Sequence, residues 1–168
     1  MCRIPGLFKQ ASLVICHPDS AGKEDVERIM LQTQAFRSEM LQCRTRIENV
    51  FPTALKSRNE RDLVYELLAT CLVALAMANR LLTALGSPEG PSLEKEVLVD
   101  AAGVIKLESD MISTSGWAGY YLNQKATVAS GFLSSSGTME NKPGHIIETW
   151  RFHEWCRAMQ RDCCCYKF

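Results

Sequence analysis

The stretch LVYELLATCLVALAMANRLLTALG, residues 63–86, decides the fold. Its middle, LLATCLVALAMA over residues 67–78, puts an apolar side chain on nearly every side of a helix. A helix that is apolar all round has to be covered by neighbours on several sides. Asn59 supplies a cap with Asp62 in the favourable first turn, and Gly86 followed by Pro88 closes the helix about seven turns later. The expectation is the central helix of a bundle, with the rest of the chain wrapped around it.

The flanking sequence supplies the wrapping. From Glu24 onward Val26, Ile29, Thr33, Phe36, Met40, Cys43, Ile47 and Val50 recur at steps of three and four, the stripe of a long amphipathic helix ended by Pro52. Glu27, Arg28, Arg37, Arg44 and Glu48 fall mostly off that stripe, as on a solvated face. Such a stripe faces a core, or it is a seam for a second helix. After the turn GSPEGP, Ser92 caps a third helix that directs Leu93, Val97, Leu98, Ala101, Val104, Ile105 and Ile112 inward. Six carboxylates stand against two lysines between Glu89 and Asp110, which reads as a solvated acidic face.

STSG interrupts the pattern, and Trp117 to Leu133 reads as a fourth helix with Ala118, Tyr121, Leu122, Ala126, Ala129 and Phe132 inward. SSSGTMENKPG is a loop by composition, and a fifth helix is expected from about His145 to Arg161. Residues 1–20, with Pro5, Gly6 and Pro18, read as an extended arm, and residues 162–168 as a cysteine-rich tail. A string such as SLVIC suits an edge strand but has no partner, and no hairpin signal appears. The expected class is therefore all-α, a five-helix bundle around a central hydrophobic helix, in one domain over residues 21–161.

Composition narrows the function classes. A chain of 168 residues, 46% hydrophobic and 23% charged, buries about 70% of its unfolded surface, so neither disorder nor stapling by disulfides or metal is expected. Nineteen basic residues balance nineteen acidic ones, and no run of five or more lysines and arginines occurs. The broad attraction to phosphate backbones is then missing, and no nucleic-acid binding by this chain alone is expected. Eight cysteines lie at 2, 16, 43, 71, 156, 163, 164 and 165 without framework spacing, and Cys43 and Cys71 sit on apolar helical stripes as small reduced hydrophobes. The N-terminal MCRIPGLFKQASLVICHPDS lacks the long apolar segment and cleavage site of a secretory signal, and the run Leu67–Ala78 is short for a bilayer span. An intracellular protein, cytoplasmic or nuclear and without a membrane partner, is expected.

No GxGxxG, GxxxxGK[ST], HExxH, GxSxG or paired CxxC motif is present, which leaves nucleotide, zinc-protease and serine-hydrolase chemistry without support. What remains is a set of polar residues on apolar helices. Glu66 and Arg80 lie fourteen positions apart, about 40° from coincident around the axis, and Tyr65 and Asn79 repeat that separation. Polar groups on an oily helix need partners, so they either pair with neighbouring helices or line a pocket for a polar ligand. A second cluster is aromatic: Trp117, Tyr120 and Tyr121, then Trp150, Phe152, His153 and Trp155. With Glu154 beside it, His153 is placed for acid–base work on a flat substrate, against the ordinary role of such aromatics as core or interface.

The end of the chain, CCCYKF, places Cys165 in a prenylation-type box, but Tyr166 and Lys167 occupy positions where aliphatic residues are preferred. His153 and Cys156 near the triple cysteine make a poor tetrahedral zinc set. An oxidation-prone tail is the default reading, with no metal and no cofactor expected.

Three segments, LVYELLATCLVALAMANRLLTALG, SLEKEVLVDAAGVIKLE and ETWRFHEW, resemble the C-terminal helical region of fungal zinc-cluster transcription regulators and their stand-alone relatives, over residues 59–160. The likeness is carried by Asn79-Arg80-Leu81-Leu82 after an apolar helix, by the Leu93-Glu94-x-Glu96 helix start, and by the tryptophan-rich end. The six-cysteine zinc cluster and its basic flank are absent, so DNA binding is not carried over. The resemblance implies an all-helical domain associated with secondary-metabolite gene clusters that senses a small molecule, binds a partner protein or serves as a small enzyme.

The leading expectation is a regulatory or ligand-binding module with a hydrophobic pocket between the central helix and the two aromatic-rich helices. In that reading Arg80 or Lys125 holds an anionic or carbonyl oxygen, Asn79, Tyr121 and His153 are further polar candidates, and Trp117 and Trp150 stack on a hydrophobic small molecule. The rival is a cofactor-free isomerase or cyclase acting on a polyketide or terpenoid intermediate, with His153 or Glu66 as proton donor or acceptor. A third reading is a helical protein that forms a homodimer through its first long helix.

Overall fold

A computed structural model describes residues 4–16, 22–54, 58–112 and 125–133. It contains helices α1 (Ile4–Cys16), α2 (Lys23–Ala54), α3 (Arg58–Ala84) and α4 (Gly90–Ile112), and a further helix, α5, over residues 125–133. No strand occurs among the described residues. The described residues form an all-α bundle of five helices built around α3.

Every residue from Cys71 to Leu82 is buried, so α3 has no solvent face over three turns. Helix α2 packs on one side of it and α4 on another, both antiparallel to α3: Arg37 of α2 meets Asn79, Glu96 of α4 meets Asn79, and Gly103 of α4 lies against Leu72. Buried alanines at 69, 74, 76 and 78 keep the helix thin and let its neighbours approach. Larger groups, among them Leu75, Leu81, Leu93, Val97 and Val104, fill the remaining core, each fully buried leucine contributing about 2 kcal/mol of transfer free energy. By length and composition Asn59–Ala84 is apolar enough to cross a membrane, which the shorter run read from the sequence understated, but 72% of its most apolar window is packed inside the protein. The enclosure also starts later than the sequence suggests: Leu63 is 59% and Leu67 42% exposed.

The α3–α4 turn follows from its residues. Gly86 takes φ +82°, Ser87 N–H donates to the Leu82 carbonyl at 3.0 Å and Gly86 N–H to the Thr83 carbonyl at 3.1 Å. This is the Schellman closure that a glycine permits. Helix α4 then starts at Gly90, two residues before the cap expected at Ser92, because Pro91 lacks an N–H and suits a first turn where backbone donors have no helical partner. Helix α2 continues through Pro52 to Ala54, so that proline falls within its last turn instead of beyond it. On its stripe Ile29, Thr33, Phe36 and Met40 are buried, whereas Val50 is exposed. The buried part of the proposed dimer seam is therefore occupied by the chain's own core.

Residues 4–16 correct the expectation of an extended arm. Pro5 and Gly6 stand in the first turn of α1, where proline is tolerated, and Leu7, Phe8 and Ala11 are buried against the bundle, with Val14 and Ile15 packed on it. The string SLVIC is the end of this helix, not a strand. In α5 the predicted inward residues Ala126, Ala129 and Phe132 are all buried. The first half of the predicted fourth helix, the loop after Leu133, the predicted fifth helix and the cysteine tail lie outside the described residues.

Candidate functional site

Because α2 and α4 each pack their backbones close to α3 but not to one another, a groove runs between them. It has a volume of about 380 Å³ and is open to solvent, lined by Arg37, Leu41 and Arg44 of α2 and by Ser92, Lys95, Glu96, Val99 and Asp100 of α4. Two ion-paired rungs cross it. Arg37 donates through Nη2 to Glu96 Oε2 at 2.6 Å and through Nε to Asn79 Oδ1 at 2.7 Å, while Asn79 Nδ2 donates to the same glutamate oxygen at 3.2 Å. Arg44 donates through Nη1 to Asp100 Oδ1 at 3.1 Å and through Nε to Glu48 Oε1 at 2.8 Å.

The lower rung is electrostatically tense. Asp100 is 4% exposed, and burial pushes its carboxyl up to about 6; Arg44 and Arg37 pull it down, while Glu96 and Glu48 push it further up. The Arg44 guanidinium is raised, first by its hydrogen bond to Glu48. Among the described residues, Arg37 Nη1 and Arg44 Nη2 have no hydrogen-bond partner and Lys95 has no ion pair. Val99, 67% exposed, and Leu41 supply the apolar part of the lining.

A second polar belt joins α3 to α4 and α5. Glu66 Oε1 is bound by Lys125 Nζ. Arg80 Nη2 lies 2.6 Å from Glu94 Oε1 and donates to the Phe132 carbonyl at 3.2 Å, and its guanidinium carbon stands 5.5 Å from the centre of the Phe132 ring. Burial lowers the Arg80 guanidinium and raises the Glu94 carboxyl, each opposed by its partner's charge. Glu94 Oε2 is buried with no hydrogen-bond partner. These two contacts hold α5 along α3, with Lys125 near the start of α3 and Phe132 near its end.

The sequence-predicted residues divide accordingly. Glu66 and Lys125 come together as a pair, and Arg80 joins α3 to α5. Asn79, fully buried beneath the groove, bonds Arg37 and Glu96 of the upper rung instead, so the two adjacent residues serve different belts. Among the described residues no group of three or more histidine, cysteine and carboxylate side chains is arranged to hold a metal. His153, Trp117, Tyr121 and Trp150 lie outside the described residues. Sequence reading missed Arg37, Arg44, Glu96 and Asp100, which it assigned to solvated faces. The signal available was their spacing: Arg37 and Arg44 stand two turns apart on α2, and Glu96 and Asp100 one turn apart on α4.

No family model, no curated protein and no solved structure matches the chain.

Proposed function

We propose that the chain is a small helical regulatory module that binds a partner protein through the groove between α2 and α4. One observation carries the reading: the groove combines exposed apolar surface at Val99 with unengaged donors on Arg37, Arg44 and Lys95, whereas Glu66, Arg80 and Lys125 are engaged within the bundle. Groups held by their own neighbours act as latches between helices, and leaving one buried charge unpaired is costly. An open, mixed lining of this kind suits a polypeptide better than a small hydrophobic molecule, which favours an enclosed, mostly apolar cavity. The association with secondary metabolism implied by the resemblance gives such a module a regulatory setting.

The test is a photo-crosslinking residue placed at position 99, with position 31 on α2, equally exposed, as control. The reading expects a polypeptide trapped at 99 and not at 31, identified by mass spectrometry, that then binds the purified chain and loses affinity for a Val99→Glu variant with unchanged melting. Purified partner binding equally well to Val99→Glu, or crosslinking to nothing at 99, overturns it.

A further inference from the structure

We propose that the partner segment seated in the α2–α4 groove is an acidic amphipathic helix, whose carboxylates bridge Arg37, Arg44 and Lys95 while its apolar residues cover Leu41 and Val99. The proposal rests on the binding-module reading and adds to it the chemistry of the partner.

Charge complementarity selects the acidic partner. The groove holds three cations against two carboxylates, and both carboxylates are already engaged, Glu96 by Arg37 and Asn79, Asp100 by Arg44. Among the described residues Lys95 is the lining charge that has no ion pair, and Arg37 Nη1 and Arg44 Nη2 are donors without a partner; Glu96 Oε1 and Asp100 Oδ2 accept no hydrogen bond either, but each of those carboxylates already faces an arginine. A basic segment would bring its charge against the unpaired Lys95 and compete with an arginine for each carboxylate; an acidic one meets Lys95 and two free guanidinium nitrogens without breaking either rung.

Spacing selects the helix. Arg37 and Arg44 are seven residues apart, about 10.5 Å along α2. Acidic residues at i and i+7 of a partner helix match that interval, and apolar residues at i+3 and i+4 between them fall over Leu41, which lies between the two arginines, and over Val99 on the opposite wall. Since the backbones of α2 and α4 stay apart and only long side chains bridge them, an added helix in this position caps the space opposite α3 and brings a fourth helix alongside α2, α3 and α4.

The experiment measures fluorescence anisotropy of two labelled 18-residue helical peptides against the full chain, one with glutamates at i and i+7 and leucines at i+3 and i+4, the other identical with lysines for glutamates. The acidic peptide is expected to bind and the basic one to bind at least tenfold more weakly. Lys95→Glu, a substitution at an exposed site without an ion pair, is expected to weaken the acidic peptide roughly tenfold while leaving thermal melting unchanged. Equal or tighter binding of the basic peptide, or no effect of Lys95→Glu, overturns the acidic chemistry. So does inorganic phosphate alone displacing the peptide at a few millimolar, which would make the site one for small anions. If neither peptide binds but position 99 still traps a protein, only the partner chemistry fails; if position 99 also traps nothing, the binding-module reading fails with it.

Discussion

Replacing Asp100 by asparagine tests the groove electrostatics in one experiment. The carboxyl is nearly enclosed and carried from an ordinary 3.8 to about 6 in the fold, chiefly by burial, against the pull of Arg44 and Arg37. At about 1.4 kcal/mol for each tenfold change in proton affinity, that corresponds to roughly 3 kcal/mol. The sign follows from linkage: the folded state holds this proton more tightly than the unfolded chain, so the stability is fully present below about pH 4 and is lost as pH rises through 6. Asparagine keeps an oxygen for Arg44 Nη1 but cannot ionise. Urea unfolding of both proteins at intervals from pH 4 to 7.5 is the assay, with the difference between them isolating this group from Glu94, whose carboxyl is also raised. The variant is expected to gain roughly 3 kcal/mol relative to the parent across that range, nearly all of it between pH 4 and 6.5. A difference that stays flat, or that falls as pH rises, would show that the two arginines outweigh burial and refute the reasoning.

Three further outcomes follow from the packing. Arg80→Met should cost about 3–5 kcal/mol, because it strands Glu94 in the interior, while the double variant Arg80→Met/Glu94→Met should recover most of that loss, both read by denaturant midpoints. Gly103→Ala places a methyl 3.1 Å from the Leu72 Cδ1; a terminal leucine methyl can yield by a few tenths of an ångström, so the gain in helix propensity should win by about 0.5 kcal/mol in the same assay. Leu75→Ala, at a side chain 1% exposed, should lose about 2–5 kcal/mol with no change in far-ultraviolet dichroism below the midpoint.

The architecture was legible where apolar periodicity was strong. Helix α3 with its Gly86 closure, the buried stripe of α2, and Leu93, Val97, Ala101 and Val104 of α4 all stand where spacing placed them. Helix α1 was hidden by Pro5 and Gly6, which signal a break in mid-helix but not in a first turn, although Leu7, Phe8 and Ala11 already had helical spacing. The candidate site was less legible because charge alone does not show which way a long side chain reaches. Arg37 and Arg44 stand off the apolar stripe of α2 and look solvated, yet they cross to Glu96 and Asp100 because α3 holds α2 and α4 just far enough apart for an arginine to span. The need for partners on α3 was readable from the cost of buried charge; their identity, Glu94 and Lys125, depended on tertiary register.

The claim beneath all of this is that α3 is enclosed by the chain's own helices. Amide hydrogen exchange of the purified chain in plain buffer, resolved by mass spectrometry along residues 71–82, measures it directly. These amides are expected to exchange slowest of all and only through global unfolding, shifting together with the denaturant midpoint in Leu75→Ala. Rapid exchange there, or protection that arises only when lipid vesicles are added, would contradict it.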